Sequence, residues 1–209
     1  MSPRHRDPEG TAAAREQRRG EVLAAAAELF ASRGYSATTV REVAEAAGML
    51  GGSLYYHFDS KESMVDELLS GFLTQMWADY DTIIAAGSGP AETFRELITS
   101  SFRTLDQYRA AVVIYQKESP NLSQIPRFSY LADSQRKFRE MWLKVLDQGV
   151  ADGVFRAGLD TGVAYRFIRD TVWLAAGWYR PDGPLSAEEI ARQYIAMMLN
   201  GILAPGINS

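Results

Sequence analysis

The stretch Thr38-Thr39-Val40-Arg41-Glu42-Val43-Ala44-Glu45-Ala46-Ala47-Gly48, followed across Met49-Leu50 by Gly51-Gly52-Ser53-Leu54-Tyr55-Tyr56-His57-Phe58, decides the fold. Ser36 to Thr39 bring capping hydroxyls, and Glu42 stands three residues after Thr39, the spacing of a capping box. Val40, Val43, Ala44 and Ala47 then recur at helical spacing until Gly48 stops the helix. Leu54 and Phe58 fall four apart, so a short helix over Ser53 to Phe58 would bury both on one face and leave polar and aromatic side chains on the other. Helix, glycine-containing turn and short helix make the helix-turn-helix pattern.

Outward from this core, Val22, Ala25, Ala26, Leu29 and Phe30 set a first helix from Ala12 to Arg33, stopped by Gly34. Residues 1–20, which lead into it, carry five arginines against three acids, a mildly basic arm. In a helix-turn-helix the second helix enters a major groove with its first residues near base edges. Gly51 and Gly52 have almost no side chain, so backbone there can approach a phosphate or base edge, and Ser53 follows. Tyr55, Tyr56 and His57 offer polar-tipped rings, and Lys61 lies four residues beyond His57, suited to a phosphate. Thr39 and Arg41, at the start of the preceding helix, are expected near the adjacent phosphate backbone. The candidate DNA-contacting set is therefore Thr39, Arg41, Gly52, Ser53, Tyr55, Tyr56, His57 and Lys61. The competing reading has Tyr55 and Tyr56 packing the short helix on its neighbours, and His57 as a buried structural residue.

A fourth helix, capped by Asp59 or Ser60, runs through Met64, Leu68, Leu69, Phe72, Leu73, Met76 and Tyr80, and Gly87-Ser88-Gly89-Pro90 breaks the chain after it. Phe94, Leu97, Ile98, Ser101, Phe102 and Leu105 mark a fifth. Further helices fit Arg109 to Glu118, Pro126 to Asp152, Asp160 to Tyr179 and Ser186 to Leu203. Sustained strand alternation is missing, so the expected class is all-α with about nine helices. Residues 1–14 are expected as a flexible arm, 15–62 as a DNA-binding head, and 63–209 as a larger body for ligand binding and dimerisation.

Composition removes other classes. At 46% hydrophobic residues, 209 positions suffice for a substantial core, which excludes wholesale disorder. The absence of cysteine excludes disulfides, thiolate metal sites and thiol nucleophiles. Histidine occurs twice, at His5 and His57, with no metal spacing and no serine and carboxylate arrangement around it. Gly48 to Gly52 lacks the Lys-Ser/Thr ending of a phosphate loop. Neither an enzyme nor a bound cofactor or metal is expected. The net charge of −4 argues against a nucleic-acid binder, because phosphate neutralisation needs a basic face, but the distribution of charge matters more than its sum. The first 20 residues lack the apolar core of a signal peptide, and no run approaches the roughly 18 apolar residues of a membrane span. A cytoplasmic protein with no membrane partner is expected.

In the body, Arg166 and Asp170 are four apart and can pair along a helix, while Arg169 has no acid three or four residues away. Arg169 instead shares a stripe with Tyr165 and Trp173. A guanidinium among aromatic rings suits a flat, partly polar organic ligand, because it both stacks and donates in a fork. Cation–π packing within the body is the competing account. The candidate ligand set is Arg169, Tyr165, Trp173 and Tyr115. Phe167, Val172, Leu174, Ala175 and Trp178, with Ile190, Tyr194, Met197 and Met198, give the last two long helices more apolar surface than a solvated helix needs. Part is expected to face the core and part a second subunit, with Ala175, Ala176 and Gly177 permitting close helix approach.

Thr38 to Gly48, Gly52 to Phe58 and Ser60-Lys61-Glu62 resemble the DNA-binding head of TetR-type repressors over roughly residues 15 to 65. Gly51 departs from the pattern, since many relatives have a longer polar side chain there. The resemblance implies a homodimer on double-stranded palindromic operator DNA, with a divergent body whose small-molecule effector releases the operator. Val113 to Gln116, Pro126 to Tyr130, Tyr165 to Trp173, Trp178 to Pro181 and Gly183 to Leu185 resemble, more narrowly, actinobacterial TetR-type repressors of late-stage cholesterol catabolism. That likeness implies control of genes for breakdown of steroid rings C and D, and a CoA thioester of a bicyclic indanedione propionate as effector. A TetR-type sensor of another hydrophobic ligand or drug is the alternative within the class. A helical acyl-CoA-binding module is the alternative outside it.

Overall fold

The computed structural model describes residues 8–200, with side chains from residue 12 onward. Among these residues the chain forms nine α-helices, two short 3-10 turns and no strand. The helices are α1 (Pro8–Arg33), α2 (Val40–Ala46), α3 (Gly51–Leu54), α4 (Lys61–Ala86), α5 (Pro90–Gln107), α6 (Arg109–Leu122), α7 (Tyr130–Ala151), α8 (Thr161–Leu174) and α9 (Ala187–Asn200). The chain divides into two compact units, Met1–Ser70 and Gly71–Ser209. The division falls inside α4, further along than position 62.

In the first unit, Val22, Ala26 and Phe30 of α1, Val43 and Ala44 of α2, Leu54 of α3 and Met64, Val65 and Leu69 of α4 are all withdrawn from water. Gly34 ends α1 at φ +94°, a conformation that costs a side-chain-bearing residue dearly. Thr39 caps α2 through a reciprocal capping box with Glu42. At the other end of α2, the Met49 N–H donates to the Ala44 carbonyl and the Gly48 N–H to the Glu45 carbonyl, at 2.8 and 3.0 Å. With Gly48 at φ +65°, these two bonds form a Schellman motif. They set the turn from which α3 departs.

In the second unit α5 packs along α9 and against α7, and α7 packs on α8. Gly89 (φ +82°) and Pro90 start α5. Its buried Phe94, Leu97, Ile98, Ser101, Phe102 and Leu105 follow the helical period of a core-facing stripe. Asp160 caps α8, accepting from the Val163 N–H at 2.8 Å.

Several expected boundaries shift. Helix α1 is already helical from Pro8, so residues 8–14 belong to a helix rather than to a flexible arm; His5 and the first seven residues lie outside the described residues. The short helix starts at Gly51 and ends at Leu54, and Tyr55 to His57 form the turn after it. Helix α6 continues through Pro120 to Leu122, although Pro120 has no N–H for the Gln116 carbonyl. Burial of Ser119 and Leu122 at 1% and 2% exposure outweighs that missing bond. A 3-10 turn, Pro126–Phe128, precedes α7, and another, Ala175–Gly177, ends the run of α8. The expected end of the last helix, residues 201–203, is outside the described residues.

Lys61 was expected as a phosphate donor, but its ammonium is engaged within the unit. Its Nζ donates to the carbonyls of Tyr35 (2.7 Å) and Thr38 (2.9 Å) and stands 4.3 Å from the Tyr35 ring centroid. These bonds tie the turn between α1 and α2 to the start of α4. Lys61→Met keeps the apolar stem and removes them, which is expected to cost about 1.5–3 kcal/mol. The measurement is the urea midpoint followed by circular dichroism; an unchanged midpoint would show that the turn is held without this lysine.

Candidate functional site

Two groups of side chains stand out, one in each unit. In the first, burial of Leu54 and Phe58 at 0% and 2% exposure fixes which way the intervening residues point. Tyr55 and Tyr56 are exposed to 59% and 69%, so neither packs α3 onto its neighbours. Gly52 and Ser53 are also exposed, and Gly51 and His57 are half-buried. A Cβ built on Gly51 or Gly52 meets no atom within 4 Å, and neither glycine has a positive φ. The fold itself therefore requires glycine at neither position.

Around this face, the Arg15 guanidinium lies 4.8 Å from the Tyr56 ring centroid, and the His57 ring meets Tyr56 edge-on at 5.5 Å. His57 Nδ1 is buried without a hydrogen-bond partner, a mixed position between surface donor and packed residue. Arg41 is exposed and pairs with Glu45 at 2.9 Å. Thr39 is exposed, but its hydroxyl serves the capping box, and its backbone N–H is the main reason the Glu42 carboxyl sits below the usual range. Arg18 donates to the Gly48 carbonyl at 3.2 Å, bracing the turn. Sequence reasoning did not single out Arg15 or Arg18, because charged residues on a long helix look like any solvated face. All eight expected residues lie on α2 or its N-cap, on α3 with its following turn, or at the start of α4; Thr39, Arg41 and Lys61 have donors engaged within the unit, and Lys61 alone of them reaches across to another turn.

In the second unit, Tyr115, Tyr165, Arg169 and Trp173 line one cavity of about 350 Å³. Its wall is built from α4, α6, α7 and α8. Phe72 meets Tyr115 and Trp173 edge-on at 5.8 and 6.1 Å, and Phe138 lies 5.8 Å from Trp173 and 6.3 Å from Tyr165. Interlocked rings of this kind form a stiff apolar wall. Burial pushes the Tyr115 hydroxyl up to about 12, so it remains a neutral donor at ordinary pH.

Arg169 has no acid at helical spacing, as read, but it is not unpaired. Its Nε donates to Asp170 Oδ1 at 2.6 Å, and its Cζ stands 5.7 Å from the Tyr165 ring centroid. Asp170 thus pairs with its immediate neighbour rather than with Arg166. Helical spacing considers residues three and four apart; at the exposed margin of α8 adjacent side chains swing together instead. The hydrogen bond lowers the Asp170 carboxyl and raises the Arg169 guanidinium, so both stay charged. Gln116, Pro120, Ser134, Phe138, Leu73 and Met76 are among the other lining residues and were not foreseen.

The apolar stripes on the last two helices divide. Val172, Ala175 and Ala176 are at 0–2% exposure in this chain's own core, so the alanines let α6 of the same chain approach closely rather than a helix of a second subunit. Phe167, Leu174, Trp178, Met197 and Met198 are exposed. Among the described residues there is no group of three or more potential metal ligands, and no helix is long and apolar enough to cross a membrane.

Residues 22–68 match the bacterial regulatory proteins of the tetR family, and residues 87–202 match the tetracyclin repressor-like C-terminal domain. The chain is 50% identical over 190 residues to the HTH-type transcriptional repressor KstR2 of Mycobacterium tuberculosis, covering 91% of this chain and 95% of that protein. It is 49% identical over 188 residues to KstR2 of Rhodococcus jostii, covering 90% and 92%. The solved structure of the ketosteroid transcriptional regulator KstR2 of Mycobacterium tuberculosis matches with a TM-score of 0.85 over 90% of this chain and 95% of that one. With an exposed helix-turn-helix face in one unit and matches across both, the chain belongs to the TetR family and is a DNA-binding transcriptional repressor, a regulator rather than an enzyme.

Proposed function

We propose that this repressor controls genes of steroid catabolism, those for cholesterol rings C and D, and leaves its operator when a CoA thioester of a bicyclic indanedione propionate binds the second unit. The observation that carries this reading is the cavity in which Arg169, Tyr165, Trp173 and Tyr115 meet. Flat apolar walls suit fused rings, while the guanidinium fork and the Tyr115 hydroxyl suit ring or acyl oxygens. Because Asp170 takes Nε and Tyr165 also draws on the guanidinium, the remaining Nη hydrogens are the donors offered to the effector. Fifty per cent identity over nine-tenths of the chain to a ketosteroid transcriptional regulator supports a role in steroid catabolism.

In this reading the functional unit is a cytoplasmic homodimer on a palindromic operator. Phe167, Leu174 and Trp178, with Met197 and Met198, supply the apolar surface that meets a second copy. Light scattering is expected to give the dimer mass at micromolar concentration; a monomer with full operator affinity would contradict it. Gly52, Ser53, Tyr55, Tyr56 and His57 lie against the groove, with Thr39 and Arg41 beside the adjacent phosphates. Lys61 keeps at most one of its three donors for a phosphate.

Because a methyl group at Gly52 meets open space in the protein, Gly52→Ala is expected to leave the fold intact and raise helix stability by about 0.5–1 kcal/mol. Against DNA the same methyl obstructs the backbone, and operator binding should weaken by roughly tenfold. Equal operator affinity in both proteins would remove Gly52 from the interface. For the effector, the test is a gel shift on DNA upstream of the chain's own gene, titrated with the indanedione propionyl-CoA. Arg169→Met should need at least about tenfold more thioester for release, the worth of one charge-assisted bond, with unliganded operator affinity unchanged. Release by unrelated hydrophobic compounds but not by the thioester would instead establish a sensor of another ligand.

A further inference from the structure

Leu50 has the largest exposed fraction, 82%, among the exposed large hydrophobic residues described. Scattered apolar residues on a protein surface are ordinary; the position of this one is not. It is the N-cap of α3, with extended backbone at φ −70° and ψ 138°, and it makes no side-chain capping bond. Serine, threonine, asparagine or aspartate there would accept a bond from the first turn of the helix, as Thr39 does for α2 and Asp160 for α8. Leucine gives up that bond without gaining burial. Neither helix capping nor the core accounts for it.

The neighbours of Leu50 are Gly51 and Gly52, each with open space where a side chain would stand. Nothing from these positions shields the leucine or holds it back from a surface facing the start of α3. In a helix-turn-helix that start faces base edges in the major groove. Hydrogen-bond donors and acceptors dominate those edges, and the C5-methyl of thymine is the apolar exception. We propose that Leu50 is a specificity-determining residue, its isopropyl group packing on a thymine C5-methyl in each operator half-site. The inference rests on the DNA-binding reading of the head and adds to it a stated base and a stated atom.

The experiment uses the full chain and an operator obtained by selection from random-sequence duplexes. Each thymine of the half-sites is replaced in turn by deoxyuridine, which removes the methyl and leaves base pairing alone. Affinity is read by fluorescence anisotropy. For the natural sequence, one symmetric position is expected to cost about fourfold per half-site, the worth of one buried methyl-sized group, and about fifteenfold when both half-sites are changed. Leu50→Ala should bind the thymine operator more weakly and be indifferent to deoxyuridine at that same position. Equal sensitivity of Leu50→Ala and the natural protein, or no sensitive thymine at all, overturns the assignment of Leu50 while DNA binding stands. Failure to select any duplex overturns the DNA-binding reading itself and the inference with it. Circular dichroism confirms that Leu50→Ala folds.

Discussion

Leu54 and Phe58, four residues apart and removed from water, hold in place a helix of four residues that could not persist by itself. A single turn fixes more backbone freedom than its own hydrogen bonds recover, so α3 exists because Leu54 at its end and Phe58 beyond the following turn complete the core formed by α1, α2 and α4 of the first unit. That constraint sets the rest of the face. With Leu54 and Phe58 turned inward, Ser53, Tyr55 and Tyr56 are turned outward, and the turn before them must arrive at the right angle. The Schellman bonds at Gly48, the capping box at Thr39 and the Lys61 ammonium beneath Tyr35 and Thr38 set that angle.

The second unit solves a different problem, since it must keep a cavity open inside a helical core. Close packing is the norm in protein interiors, and an unfilled space forfeits dispersion contacts along its lining. Here the rings of Phe72, Phe138, Tyr165 and Trp173 brace one another at 5.8–6.3 Å, and the wall is stiff enough not to collapse. Pro120 leaves the Gln116 carbonyl of α6 without its helical donor beside the same space. Arg169 and Asp170 place a paired charge at its margin rather than in its depth, which keeps the desolvation cost of both groups small.

Much of this was legible in the sequence where the signal is local. The capping box at Thr39 and Glu42, the stop at Gly48, the inward pair Leu54 and Phe58, and the break at Gly87 to Pro90 each depend on residues within one turn of each other, and each is found as read. Tyr165, Arg169 and Trp173, read as one stripe, line one cavity together with Tyr115, the candidate from a different helix. What escaped the sequence depends on contacts distant along the chain. Lys61 looked free until the carbonyls of Tyr35 and Thr38 came beneath it. Ala175 and Ala176 looked suited to a partner helix until the chain's own core covered them. Helix α6 passes Pro120 because Leu122 is buried, a tertiary gain that local propensity does not include.

Under the proposed function the cavity and the DNA-reading face are coupled, so that occupancy of one disfavours occupancy of the other. Thermodynamic linkage makes such coupling reciprocal, and typical values correspond to about 5- to 150-fold changes in affinity. Calorimetric titration of the indanedione propionyl-CoA into the repressor, alone and saturated with operator duplex, measures it directly. The account predicts that operator weakens thioester binding by the same factor by which thioester weakens operator binding. Equal thioester affinity with and without operator would contradict it.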